Sequence, residues 1–256
     1  MVATSHAAEI KNELFEIRNI PVSQPFIWLA RGWDDLVHHK AASLAYGVLV
    51  SVMGAIILQY GAHPYFLAAA VSGFLLVGPI LTAGLCELSR RRDRKEQTDF
   101  DSSLNAFRHN RKALNMFAGL LLLLSLLWFS LSAVILHYAL GSVAPDISDT
   151  MWGDLLTYLS TSHLLAYFGV GGLLAVIVFC ISVVSVPMIL DSGASARRAI
   201  TTSIRVSFRD FPAMLVWSFL IVILTIIGFA TFLIGMVIVF PLLGHATWYA
   251  YRDLIH

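Results

Sequence analysis

The stretch S-R-R-R-D-R-K-E-Q-T-D-F-D-S-S-L-N-A-F-R-H-N-R-K, Ser89 to Lys112, decides how this chain folds. It holds Arg90, Arg91, Arg92, Arg94, Lys95, Arg108, Arg111 and Lys112, eight of the 17 Lys and Arg residues, and it separates two long apolar blocks. Across the whole chain, 58% of residues are hydrophobic and 13% charged, whereas soluble domains carry about a quarter charged residues. The chain therefore reads as a polytopic membrane protein. A net charge of +1 gives no nucleic-acid footprint, and membrane topology explains the basic loop better.

The apolar blocks on either side divide into six expected spans, at about 41–60, 65–88, 113–140, 165–190, 213–229 and 232–249. Twenty helical residues cross about 30 Å of hydrocarbon at 1.5 Å per residue. Residues 213–249 are apolar throughout, and one unbroken helix there would be about 55 Å long. A break near Gly228 to Gly235, giving two short spans, is expected instead. The 28 residues of the third span must tilt or protrude. Tyr60, Tyr65 and Phe66 stand like an aromatic belt around a tight turn at Gly61–Pro64, and Ala69-x-x-x-Gly73 permits close helix contact.

With six spans, the segments on the basic loop's side hold four (1–40), eight (89–112), four (191–212) and one (250–256) of the Lys and Arg residues, which is all 17. The three loops on the other side hold none. The positive-inside rule then places both termini in the cytoplasm. Residues 1–22 read as a mobile cytoplasmic terminus and 23–256 as one transmembrane domain. The first 40 residues show no short apolar core before a small-residue cleavage site, so the first span is expected to remain as an anchor.

Three short amphipathic segments precede outgoing spans. In the first, Ser23 caps, Pro25 sits in the first turn, and Phe26, Leu29, Trp33 and Leu36 recur at helical spacing, with Arg31, Asp34, Asp35 and His38 on other faces. The second is Phe100, Leu104 and Phe107. The third is Ala196, Ile200, Ile204, Phe208 and Phe211, with Arg197, Arg198, Arg205 and Arg209 elsewhere. Each returning span carries a proline expected to kink it near the inner end: Pro79, Pro187 and Pro241. The expected fold is all-α, a polytopic transmembrane helix bundle whose six spans form three helical hairpins, each preceded by a short amphipathic interfacial helix.

The ending V-F-P-L-L-G-H-A-T-W-Y-A-Y-R-D-L (239–254), the opening R-N-I-P…W-L-A-R-G-W-D-D-L (18–36) and G-P-I-L…E-L-S-R-R (78–91) resemble the bacterial integral-membrane proteins catalogued as domain of unknown function 2189. The resemblance covers about residues 18 to 255. It implies a bacterial inner-membrane protein without an established activity. The label of cytochrome oxidase catalytic subunit, carried by some relatives, finds no support in these residues.

A haem needs two axial ligands at one depth, yet His137 lies near the outer end of span three and His245 near the inner end of span six. No haem or other cofactor is expected. His137 and His163 flank an outer loop with Asp146, Asp149 and Asp154, but no compact ligand motif sets a metal geometry, so no metal is expected either. Cys86 and Cys180 read as small apolar residues. No span carries Asp, Glu, Lys or Arg near its centre, which disfavours ion-coupled transport, and no catalytic signature is present. Ser51 and Ser130 are expected to bond backbone carbonyls.

One group stands out. Glu87, Asp191 and His245 each fall one or two turns after a proline, and His245, Trp248, Tyr249 and Arg252 share a helical face. These residues are expected to converge in a cytoplasm-facing polar pocket, with Arg252 pairing an acid. Two functional classes stay open: a non-enzymatic membrane component that assembles with lipids, another membrane protein or its own copies, and a small channel or transporter for an uncharged or lipid-like ligand.

Overall fold

The computed structural model describes residues 17–59, 64–108, 110–140 and 160–255, and among these the fold is all-helical with no strand. In chain order the helices are α1 (Gln24–His38), α2 (Lys40–Gln59), α3 (Pro64–Asp93), α4 (Phe100–Ser103, continued as a 3-10 turn through Phe107), α5 (Arg111–Leu140), α6 (Thr161–Ser182), α7 (Ser185–Asp191), α8 (Ala196–Arg209), α9 (Phe211–Ala230) and α10 (Met236–Leu254). The expected turn at Gly61–Pro64, the belt of Tyr60, Tyr65 and Phe66, the Ala69/Gly73 contact and the acidic loop with Asp146, Asp149 and Asp154 involve residues or side chains outside those described.

Four described segments are long and apolar enough to cross a membrane: Lys40–Ile57, Arg111–Ile135, Thr161–Asp191 and Phe211–Ala230. They leave large apolar side chains uncovered, among them Leu123 and Leu126 on α5, Phe168 and Leu173 on α6, and Phe219 and Ile226 on α9. Such a surface is stable only against lipid or another apolar partner. The apolar run 211–254 is two helices, α9 and α10, separated by 231–235, where Phe232 and Leu233 adopt φ of 52° and 66°.

The sequence predicts one span over 165–190 kinked at Pro187, and here the structure differs. α6 stops at Ser182, Val184 takes φ −125° and ψ 0°, and Pro187 becomes the third residue of the separate helix α7. Proline has no N–H to continue the α6 ladder, but in a first turn that donor is not needed. Ser203 of α8 closes the break: its hydroxyl donates to Cys180 O at 2.7 Å and accepts from Val184 N at 3.5 Å. Pro79 and Pro241 do lie inside continuous helices.

α10 is the centre of the molecule. Its most extensive packing is with α1 and α2, then α3, rather than with its sequence neighbour α9. Two glycines allow that approach. A Cβ on Gly32 would stand 2.8 Å from Ala246 N and 2.9 Å from Leu242 O, and one on Gly47 only 2.1 Å from Val237 O. Val237 O is the carbonyl that Pro241, four residues on, cannot bond. Buried Trp28 meets buried Trp217 edge to face, ring centres 5.6 Å apart, and so ties α1 to α9.

The face that α1 buries is Trp28, Gly32, Asp35 and Leu36, spaced i, i+4, i+7, i+8. Of the expected apolar stripe, Phe26 and Trp33 are exposed and Leu36 is buried, whereas Asp35, expected on a polar face, is completely enclosed. α8 likewise turns the small residues Ala196, Ala199, Ser203 and Val206 inward and leaves Phe208 exposed.

Candidate functional site

Where α1, α2, α3 and α10 meet, the chain from Asp35 to Ser43 wraps His245. α1 ends at His38 because His39 leaves helical geometry (φ −109°, ψ 42°), and α2 restarts at Lys40. That bend brings Asp35 and Ser43 to opposite sides of one imidazole. Ser43 Oγ lies 2.8 Å from His245 Nε2, and Ser89 Oγ lies 2.8 Å from His245 Nδ1. Ser89 also donates to Asp35 Oδ2, and Arg92 donates to Asp35 Oδ1 and, at 2.7 Å, to Asp34 Oδ2.

This pattern fixes the protons. Ser89 spends its hydroxyl proton on a carboxylate that can only accept, so the bond from Ser89 to the ring must be an Nδ1–H donation. Nε2 then carries the lone pair and accepts from Ser43. Protons thus point along one line, from Ser43 through His245 and Ser89 to Asp35. Asp35, Ser43, Ser89 and His245 all show 0% exposure.

The four expected site residues do gather at this end of the molecule, but each has its own partners. Glu87, nearly buried, receives Arg90 Nε and Nη2 and Arg91 Nε, all at 2.8 Å. Asp191 accepts from Arg94 at 2.8 Å and from the Tyr251 hydroxyl at 3.1 Å. Arg252 approaches Asp93, Nε to Oδ2 3.8 Å, the same carboxylate that accepts Trp248 Nε1–H at 2.8 Å. Only His245 belongs to the enclosed chain. Two surface hollows, of about 500 and 810 Å³, lie along α1, and neither is lined by Glu87, Asp191, His245 or Arg252.

The charges outside the spans follow the same contacts. Burial opposes the Arg92 charge, but hydrogen bonds to Asp35 and Asp34 outweigh it and raise its pKa. The hydrogen bond to Glu87 raises that of Arg90. His39 is pushed below its usual value by burial, against a weaker pull from the Asp35 carbonyl at 3.1 Å from Nδ1. Its Nε2 is buried without a hydrogen-bond partner, and its ring stacks on His245 at 6.4 Å.

Chemically, a serine, an imidazole and a carboxylate in line have the makings of an activated nucleophile. Here Ser43 Oγ is sealed from any substrate, and the arrangement acts as a lock joining four helices. Among the described residues, no group of three or more His, Cys, Asp or Glu side chains could hold a metal ion. His163 bonds Ser160 at 2.7 Å, and the His137 side chain lies outside those described. Ser130 bonds its own helix at Leu126 O, whereas Ser51 crosses to Leu233 O.

A family model described as a predicted integral membrane protein (DUF2189) matches residues 66–191. Residues 66–191 thus belong to the DUF2189 family. No curated protein and no solved structure matches it. The matched region runs from α3 through α7 and supplies Glu87, Ser89, Arg92 and Asp191. Asp35, Ser43, His245 and Arg252 come from the flanking helices, so the lock joins the matched region to the rest of the chain. Sequence reasoning missed Asp35, Ser43, Ser89 and Arg92. The buried spacing Trp28, Gly32, Asp35 was a usable signal for the first; the two serines fit no pattern.

Proposed function

We propose that this protein is a non-enzymatic component of the bacterial inner membrane that assembles with membrane lipids and with another membrane protein or its own copies. Six spans paired as three hairpins, with both termini cytoplasmic, complete the reading. The one-sided distribution of all 17 Lys and Arg residues supports that topology, and a reporter fused after Ile255 that is active only outside the cell would contradict it.

The observation that carries the functional reading is the enclosed Ser43–His245–Ser89–Asp35 chain. The best acid–base constellation in the described residues is spent on holding helices together, while the helices present apolar surface to their surroundings. A structure organised in that way offers surfaces to bind. Purification from native membranes in mild detergent tests this: defined lipids or a defined protein should come with the chain in constant ratio. Recovery of the chain alone, together with a continuous polar-lined passage, would overturn the proposal in favour of a channel or transporter.

A further inference from the structure

We infer that the surface where α1 meets α9 and α10 binds one phospholipid with an amine-bearing, zwitterionic headgroup. The inference rests on the lipid-assembling reading above and names the lipid class and the site.

The apolar part is a groove of about 810 Å³ between the start of α1 and α9, walled by Val22, Phe26, Leu215, Phe219 and Val222. It follows α9 from Leu215 to Val222, about 10 Å, along a helix apolar enough to cross a membrane. The groove is preformed, because the buried Trp28–Trp217 pair fastens α1 to α9 at this level and Trp28 Nε1 is anchored on Asp253 at 2.9 Å. Phe26 is also a wall of the second hollow, about 500 Å³, which continues over α1 to α10 and is lined by Ala30, Arg31, Asp34 and Tyr249. Both volumes fall within the ~300–1,000 Å³ of ordinary ligand sites. An apolar slot and a charged one thus adjoin on either side of Phe26.

The charges decide the headgroup. The Arg31 side chain is 48% exposed. Its Nη1 holds Asp253 at 3.2 Å and its guanidinium lies 5.7 Å from the Tyr249 ring, leaving other N–H donors of the fork for a phosphate. Asp34, nearly one turn along the same helix, has a side chain 70% exposed and uses Oδ2 for Arg92. A cation and an anion at that spacing match a phosphate and an ammonium on one headgroup. A phosphate-bearing head without an amine would set its negative charge near Asp34 with only neutral hydroxyl donors, and no positive charge, to offset it.

The test is native mass spectrometry of the full chain, purified in detergent and supplied with phosphatidylethanolamine or phosphatidylglycerol of identical acyl chains. Wild type should retain one phosphatidylethanolamine with about five-fold preference, the discrimination expected from about 1 kcal/mol of charge pairing. Asp34→Asn should bring the preference close to one while phosphate-dependent retention persists. Ser218→Trp, which fills the groove, should cut retention of both lipids about ten-fold. Trp33→Ala, an exposed aromatic on α1 outside both hollows, should change neither. Unaltered elution and melting of each variant would show that the fold is intact. Equal retention of the two lipids by wild type, unchanged retention by Ser218→Trp, or an equal loss with Trp33→Ala would overturn the inference. Each of those results leaves untouched any protein partner recovered from native membranes, whereas a lone chain with a through-passage that still prefers phosphatidylethanolamine would sink only the broader proposal.

Discussion

Replacing Gly47 with alanine should destabilise this protein, although alanine is the better helix former by about 0.8–1 kcal/mol. The added methyl would stand 2.1 Å from Val237 O and 2.7 Å from Val237 C and Cα. Carbon and carbonyl oxygen settle at about 3.3–3.6 Å even in close Cα–H···O contacts, so α2 and α10 must separate by roughly 1.2 Å or more. All three obstructing atoms are backbone, and no rotamer change relieves them. Overpacking of this kind costs about 1–3 kcal/mol beyond any propensity gain. The displacement also propagates: Ser43 lies one turn before Gly47 and holds His245 at 2.8 Å. A net loss of about 1–3 kcal/mol lowers the melting temperature by roughly 3–10 °C in a chain of this size. Thermal unfolding in detergent should be compared with Gly172→Ala, where the new Cβ meets nothing within 4 Å. Gly172→Ala should melt at or slightly above wild type. If Gly47→Ala did the same, the close approach of α2 to α10 would be wrong.

His245→Ala removes the partner of two buried hydroxyls and should cost about 2–4 kcal/mol, read as a loss of melting temperature with no change in helical circular dichroism at low temperature. Ser203→Ala strips both groups at the α6–α7 break of their partner and should cost about 1–2 kcal/mol, with faster amide exchange at Val184 than at mid-α6. The His39 pKa is lowered by burial from an unfolded value near 6.5. The unfolded chain therefore binds more protons between the two values, and the contribution of His39 is complete above about pH 6.5 and falls as pH drops through it. Melting temperature should decline between pH 7.5 and 5.5, and His39→Gln should flatten the slope; an equal slope in the variant would assign the decline to other groups.

The sites that sequence reasoning reached and missed differ in a consistent way. Pro79, Pro187 and Pro241 were readable as helix perturbations, because proline acts on its own backbone. Whether each bends or ends its helix depended on what could satisfy the freed groups. Ser203 ends one and starts another at Pro187, and Gly47 passes beside the freed carbonyl at Pro241. Glu87, Asp191, His245 and Arg252 were placed at one end of the molecule by depth along their helices. Depth gives height but not azimuth, and so it could not show that Glu87 pairs within its own helix while His245 turns to Ser43 and Ser89.

By itself, the sequence determined that this is a helical membrane protein with its cationic residues gathered between apolar runs. Those are properties of local composition and period, which the cost of moving charge and unpaired backbone into hydrocarbon makes decisive. Only the tertiary structure decided that α10 lies at the centre and that Asp35 is enclosed. It also decided that a line of hydroxyls, one imidazole and a carboxylate locks four helices. In an apolar chain nearly every face is equally hydrophobic. The choice of packing partner therefore falls to scattered glycines and small polar groups, whose match to one another exists only once the helices are side by side.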